Sequence, residues 1–154
     1  MNYSTKLSDA LHILAFLALG TSQRLTSTRI AESVKTNPAY IRQLMAMLTS
    51  AGIITSTQGQ ASPELTRSTD EITVLDVYRA VVGDKSLLHR DVNTNPECGV
   101  GIYIQIQQSI ADFYQEIQRS AEQKMQTITL QAILEHYYKK LAELDLGPGR
   151  KIIR

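Results

Sequence analysis

The segment that most restricts the fold is TRIAESVKTNPAYIRQL, residues 28–44, where one helical pattern ends and another begins almost at once. Pro38 cannot continue a helix and disfavours helical geometry at the residue before it, so the first helix must end near Thr36. Asn37 is a good N-cap and proline suits the first helical position, so a second helix starts immediately. The sequence therefore predicts two short helices joined by a tight turn.

Both helices carry further signals at the residue level. Leu25 and Ile30 occupy the N′ and N4 positions of a hydrophobic staple around an N-cap at Thr26. The second helix has an apolar stripe at helical spacing, expected to be buried, made of Ile41, Leu44, Met45 and Leu48. This leaves on its open first turns the side chains of Ala39, Tyr40, Arg42 and Gln43.

The flanking segments complete a small unit around this pair. Apolar residues three and four apart predict a helix over residues 4–19, and a staple with an N-cap at Thr73 predicts another over 72–83. Between them, residues 53–58 (IITSTQ) and 65–68 (LTRS) are expected to pair as strands around a turn-forming stretch. Two short strands after a pair of helices of this kind form a wing.

The last third of the chain predicts two more helices, over residues 101–125 and 129–144, after a long irregular loop, and a flexible tail over 147–154. The first of these helices would be about 37 Å long, which is more than the winged part can cover. Its apolar stripe therefore predicts a homodimer interface, formed by Ile102, Ile106, Ile110, Phe113 and Ile117.

Charge and composition narrow the class of protein. Hydrophobic residues make up 43% of the chain and charged residues 20%, so it can bury a core. The net charge is +1 overall, but residues 1–60 carry +3 and residues 61–154 carry −2. The positive surplus lies with the paired helices, where a phosphate-binding surface would need it.

Several chemistries are not expected from the sequence. The chain has one cysteine, which excludes an intrachain disulfide and a CxxC zinc site. No glycine-rich phosphate loop, zinc-ligand spacing or nucleophile–base pattern stands out, so neither an enzyme, a cofactor nor a metal site is predicted. The apolar run at 10–19 is too short to span a bilayer, and without an address signal the chain is expected to be cytoplasmic and free of membranes.

Five segments share their order and spacing with one known family. They are the opening helix MNYSTKLSDALHILAFLAL, the paired helices LTSTRIAESVKTNPAYIRQLMAMLTSAGII, the helix EITVLDVYRAVVG, the loop NTNPECGVG and the start TLQAIL of the last helix. They resemble the Rrf2 family of bacterial transcription regulators, in which a tyrosine, an aliphatic residue and a glutamine recur at the places held here by Tyr40, Ile41 and Gln43.

The resemblance implies a mainly α fold, a winged helix-turn-helix with a two-stranded wing and a long C-terminal dimerisation helix. It divides the chain into a DNA-binding domain at 1–83, a cysteine-containing sensor loop at 84–100 and dimerisation helices at 101–146. It implies a dimeric regulator, expected to be a repressor, that places two recognition helices in successive major grooves of double-stranded DNA. The alternative is an adaptor that binds a protein through the winged helix, which needs neither a basic surplus nor salt-dependent binding.

The resemblance to DNA-binding regulators also predicts which residues contact DNA. Arg42 can contact a guanine edge or a phosphate, and Gln43 can read adenine; on an ordinary helical hairpin both would be plain surface residues. The backbone at the start of the first helix of the pair could hold a phosphate. The full predicted set is Ser27, Thr28, Asn37, Ala39, Tyr40, Arg42, Gln43, Gln58 and Gly59.

The chain departs from the family pattern at two places. Members that carry an iron–sulfur cluster have three cysteines in the loop, and this chain has only Cys98, so that cluster is not expected. Many members have an arginine in the wing where Gln58 stands. Cys98 precedes a helix start, which favours the reactive thiolate and makes it a candidate redox sensor; Glu97 opposes this, and the alternative is an inert buried residue. Asp9 and His12 lie three residues apart on the first helix and could serve as cluster ligands other than cysteine, for which the family has precedent; they are expected instead to be partly buried polar residues. The natural effector is not predicted.

Overall fold

The computed structural model describes residues 5–20, 25–55, 63–88 and 100–144. Six helices and one small sheet follow one another in these ranges. The helices are α1 (Lys6–Leu19), α2 (Ser27–Val34), α3 (Pro38–Ser50), α4 (Val74–Val81), α5 (Val100–Thr127) and α6 (Leu130–Glu143), and the strands are β1 (Ile54–Thr55) and β2 (Glu64–Leu65). The predicted mainly α architecture with a two-stranded wing is confirmed.

The turn between α2 and α3 has the geometry that the sequence predicted. Lys35 adopts a left-handed conformation with φ 56°, and the Thr36 N–H donates to the Ala31 carbonyl over 2.9 Å, which closes α2. Asn37 then caps α3, since its Oδ1 accepts the Tyr40 N–H over 2.8 Å, and Pro38 opens the helix. The direction of α3 relative to α2 is therefore determined by the hydrogen bonds and the proline of this turn.

The other helix starts also follow their caps. The Thr26 side chain accepts the Arg29 N–H over 3.3 Å at the start of α2. At α4 a full capping box forms, because Thr73 Oγ1 accepts the Asp76 N–H over 3.1 Å and the Asp76 carboxylate accepts the Thr73 N–H over 3.0 Å. Both predicted caps are confirmed.

The wing begins with a short antiparallel ladder in which Ile54 lies opposite Leu65. Thr66 ties its base to the end of α3, because its backbone N–H and its hydroxyl both donate to the Ile53 carbonyl, over 3.0 and 3.1 Å. The predicted wing residues Gln58 and Gly59 lie outside the described residues.

One hydrophobic core holds the winged unit together. It draws side chains from α1 to α4, from the wing and from α6: Ala10, Ile13, Leu14, Ile30, Ala31, Ile41, Leu44, Leu48, Ile53, Ile54, Ile72, Val77, Val81, Leu130 and Leu134. The last two belong to a helix that the sequence pattern placed with the dimerisation segment. The first half of α6 therefore packs with the winged unit.

A backbone clasp fixes α6 to α4. The Val74 N–H donates to the Ile128 carbonyl and the Leu130 N–H donates to the Ile72 carbonyl, each over 2.8 Å. Thr73 and Thr129, the N-caps of the two helices, face each other in this antiparallel bridge. Two helix starts that are 56 residues apart in sequence are thus held at one point.

α5 differs from the other helices because none of its described side chains joins the core. It spans 28 residues, or about 42 Å, and packs along α4. Within the described ranges, no helix combines the length and the apolar character needed to cross a membrane.

Candidate nucleic-acid interface

The outer face of α3 is a stripe of exposed side chains opposite the buried one. Ile41, Leu44 and Leu48 are fully buried, whereas Ala39, Arg42, Gln43 and Ala46 face solvent. The exposed residues stand at i, i+3, i+4 and i+7, so they share one side of the helix. On this side of the helix two small alanines flank a long cation and an amide.

Arg42 joins α3 to the start of α2. Its Nη1 donates to Ser27 Oγ over 3.4 Å, so the guanidinium lies across the first turn of α2. Thr28 is exposed beside it. The structure thus brings Ser27, Thr28 and Arg42 together at a helix N-terminus, where backbone N–H groups and a cation can act on one phosphate.

Tyr40 is turned toward the body of the protein. Its hydroxyl donates to Asp9 Oδ2 of α1 over 3.1 Å, across 31 residues of sequence. Burial raises the pKa of Tyr40; a hydrogen bond from the Thr5 side chain lowers it, and the Asp9 carboxylate raises it further. The phenol therefore stays protonated and donates its hydrogen bond to the Asp9 carboxylate.

His12, the other polar residue of this helix, has different neighbours. Its ring stacks on Phe16 with centroids 4.9 Å apart, and its Nε2 lies 3.5 Å from Ser33 Oγ of α2. Asp9 is half-buried and His12 is exposed. Asp9 is therefore partly buried as expected, whereas His12 differs from the expectation because it stays exposed to solvent although its ring stacks on Phe16.

The apolar face of α5 is open to solvent. Ile106 is 53% exposed, Phe113 66% and Ile117 49%, and Ile110 between them is half-buried. Open grooves lie on both sides of Phe113, floored by small side chains such as Ser109 and Ser120. The side chain of Ile102, the remaining residue of the predicted stripe, is outside the described set. A long exposed apolar face of this kind is a candidate contact surface.

Gln118 connects α5 to the start of the cysteine loop. Its Oε1 accepts the Leu87 N–H over 2.9 Å, and its Nε2 lies 3.4 Å from the Tyr78 hydroxyl and 2.8 Å from Glu122 Oε1. Tyr78 in turn donates to the Lys85 carbonyl over 2.6 Å. The backbone that leads toward Cys98 is therefore tied to α4 and α5, although Cys98 itself lies outside the described residues.

Sequence reasoning missed three features of these surfaces. Ala46 extends the exposed stripe of α3 and could have been found from its spacing alone. The contact of Asp9 with Tyr40 and the bridging role of Gln118 have no local signal, since each depends on how distant helices pack.

The comparisons with known proteins agree with this geometry. The model of the Rrf2 family, described as an iron-dependent transcriptional regulator, matches residues 3–136. The chain belongs to the Rrf2 family. The Bacillus subtilis protein YwnA, named as a candidate HTH-type transcriptional regulator, is 31% identical over 88% of this chain and 98% of its own length.

Solved structures show the same fold. A crystal structure of a candidate DNA-binding protein, 30% identical, covers 84% of this chain and 98% of its own with a TM-score of 0.66. The B. subtilis global cysteine regulator CymR, 21% identical, covers 88% and 98% with a TM-score of 0.63. This Rrf2 protein is a DNA-binding transcriptional regulator with a winged helix; its family is one of transcriptional regulators rather than enzymes.

The iron dependence in the family description does not fit the donors of this chain. A single cysteine cannot supply the three thiolates of the cluster-binding members. Within the described residues, no three His, Cys, Asp or Glu side chains come together as a metal site, and Asp9 already accepts a hydrogen bond from Tyr40.

Proposed function

We propose that this Rrf2 protein represses transcription by binding an operator as a homodimer, with α3 of each protomer in one of two successive major grooves. The uncovered apolar face of α5 is the observation that carries the proposal. Phe113, Ile106 and Ile117 are about half exposed or more, and in the described chain nothing packs over them. A second copy of α5 would bury this face with knobs-into-holes packing in the grooves beside Phe113.

The two-fold dimer determines how the DNA surfaces are placed. Each winged unit is attached to its α5 along α4, where Arg79 and Glu122 form an ion pair of 3.5 Å and Gln118 adds hydrogen bonds. Pairing the two α5 helices would therefore present two copies of α3 at a fixed separation. Recognition helices about 34 Å apart read half-sites one helical turn apart, and the bound dimer would occupy promoter DNA.

Within each half-site we assign the reading role to the exposed stripe of α3. Arg42 and Gln43 are the side chains long enough to reach base edges, and the amide nitrogen of Asn37 can donate to a phosphate while its oxygen caps α3. The first turn of α2, with Ser27 and Thr28, is assigned to a neighbouring phosphate. The wing contacts proposed for Gln58 and Gly59 remain a prediction from the sequence.

Replacing Arg42 tests this assignment. Arg42→Ala is expected to weaken binding to a duplex selected by the wild-type protein by about 1–3 kcal/mol, because a contact to a guanine edge or a phosphate is lost. Fluorescence anisotropy at several salt concentrations measures this loss.

Arg119→Ala removes the same charge from an exposed position of α5 and is the matched control, expected to bind as the wild type does. Equal affinities for Arg42→Ala and wild type would remove Arg42 from the interface. A steep fall of wild-type affinity with salt is expected for DNA binding, and its absence would favour the protein adaptor instead.

Cys98 is proposed as the redox-responsive group. It lies two residues before α5 in the sequence. A change at its sulfur would therefore act at the start of the helix that sets the distance between the two copies of α3 in the dimer. Oxidation could give a sulfenic acid, a mixed disulfide or a bridge between the two Cys98 residues of the dimer.

Operator affinity measured after peroxide or diamide is expected to change for the wild type and to stay constant for Cys98→Ser. An identical response of the two proteins would assign the sensing to another group, while the DNA-binding role would stand.

A further inference from the structure

We propose that Asp9 is a positioning residue for DNA recognition, because it holds the N-terminal turn of α3 through a hydrogen bond with the Tyr40 hydroxyl. Tyr40 then supports α3 from the side that faces the protein core and does not bind phosphate. The proposal rests on the assignment of α3 to the major groove. It concerns a contact between α1 and α3 that lies outside the stripe of Arg42 and Gln43.

The need for such a contact follows from how α3 is held. Its buried side chains Ile41, Leu44 and Leu48 anchor α3 from the end of the first turn onward, and the first turn itself carries the Asn37 cap. Helix-turn-helix proteins read bases with the N-terminal residues of the recognition helix, so the start is the part whose position matters most. The Tyr40–Asp9 hydrogen bond, 3.1 Å long, is a side-chain link from this turn to α1.

The chemistry of the phenol excludes a simultaneous phosphate contact. A tyrosine hydroxyl has one proton, and phosphate oxygens only accept hydrogen bonds. The proton of Tyr40 is donated to the Asp9 carboxylate, and the Thr5 side chain also bonds the phenol oxygen. A phosphate contact would require Tyr40 to give up a charge-assisted hydrogen bond, which is stronger than a neutral one.

Asp9 has two effects on DNA binding, and they have opposite signs. As an anion near the DNA-facing surface it repels phosphates, so removing its charge alone should tighten binding. As a hydrogen-bond acceptor it orients α3, so removing its oxygen should weaken specific binding. Asp9→Asn and Asp9→Ala both remove the charge, but the asparagine keeps an acceptor oxygen, so their difference isolates the positioning effect.

The experiment combines these two substitutions with Tyr40→Phe in a double-mutant cycle. The probes are a duplex selected from a random-sequence pool by the wild-type protein and a scrambled duplex of the same composition. In the Tyr40 background, Asp9→Ala is expected to bind the selected duplex about three- to tenfold more weakly than Asp9→Asn, the range for one lost hydrogen bond. In the Tyr40→Phe background this difference is expected to vanish, and on the scrambled duplex it is expected to be absent.

Salt dependence provides the second readout. Tyr40→Phe is expected to weaken specific binding without changing the slope of affinity against salt, because no phosphate contact is lost. This single substitution keeps the ring, so it still gives a result if Asp9→Ala fails to fold in a thermal-unfolding check.

Three outcomes would overturn the proposal: equal affinities of Asp9→Asn and Asp9→Ala, a difference that persists in Tyr40→Phe, or a lower salt slope in Tyr40→Phe. Arg42→Ala separates these failures from a failure of the proposed function. If Arg42→Ala weakens binding while the cycle shows no coupling, only the role of Asp9 is lost. If the wild type selects no duplex, the proposed DNA-binding role of α3 is lost as well, and with it the role of Asp9.

Discussion

Phe113→Glu is expected to convert the protein to a monomer and to weaken operator binding by a factor of about one hundred or more. Phe113 is 66% exposed in the single chain and stands at the centre of the apolar face of α5. In the dimer a carboxylate at this position would have to lose its water within an apolar seam, which costs several kcal/mol per protomer. Because two linked half-sites bind far more tightly than one, loss of the dimer removes about 10²–10⁴ in affinity.

Sedimentation equilibrium at micromolar concentration measures the first effect, and anisotropy with the selected duplex measures the second. Gln115→Glu is the matched control, since it introduces the same side chain on the same helix at an exposed residue about 200° away around the axis. The control is expected to stay dimeric. A wild-type protein that sediments as a monomer, or a dimeric Phe113→Glu protein, would contradict the proposed interface.

Leu130→Ala is expected to lower the free energy of unfolding by about 2–5 kcal/mol, the usual cost of truncating a fully buried leucine. Leu130 is 1% exposed and lies in the same core as Ile13, Leu44 and Val77. Its neighbours are fixed by the clasp between residues 72–74 and 128–130, so the cavity cannot collapse easily.

Urea unfolding gives the comparison with Leu144→Ala, the same substitution at the end of α6, where the side chain is 67% exposed. That control is expected to cost less than about 0.5 kcal/mol. Similar costs for the two variants would mean that α6 contributes little to the winged core, and the predicted division at residues 83 and 101 would gain support. A large difference would assign the first half of α6 to the winged unit.

Local signals in the sequence predicted much of this fold. Thr26, Asn37 and Thr73 were assigned as N-caps from residue type and spacing, and the structure confirms each one with a hydrogen bond. The apolar stripes of α3 and α5 were equally visible because helical periodicity depends only on neighbouring residues. What the pattern could not give was the partner of each stripe.

The features that the sequence could not predict depend on long-range packing. Leu130 and Leu134 have the spacing of any amphipathic helix, so nothing in their sequence says that they pack under α1 rather than in a dimer. Tyr40 is predicted to contact DNA because it lies on α3, and nothing local in the sequence indicates its hydrogen bond to Asp9. Gln118 is a polar residue inside a helix, and its three hydrogen-bonding neighbours come from two other parts of the chain as well as its own helix.

The clasp between α4 and α6 has a consequence for the order of folding during synthesis. The core around α1 includes Leu130 and Leu134, so it remains incomplete until α6 has left the ribosome. By then all 28 residues of α5 have been made, and its apolar face is available for a second chain. We expect a nascent chain to become able to bind DNA and able to dimerise at nearly the same moment. Long-lived intermediates that have only one of these two abilities are therefore expected to be rare.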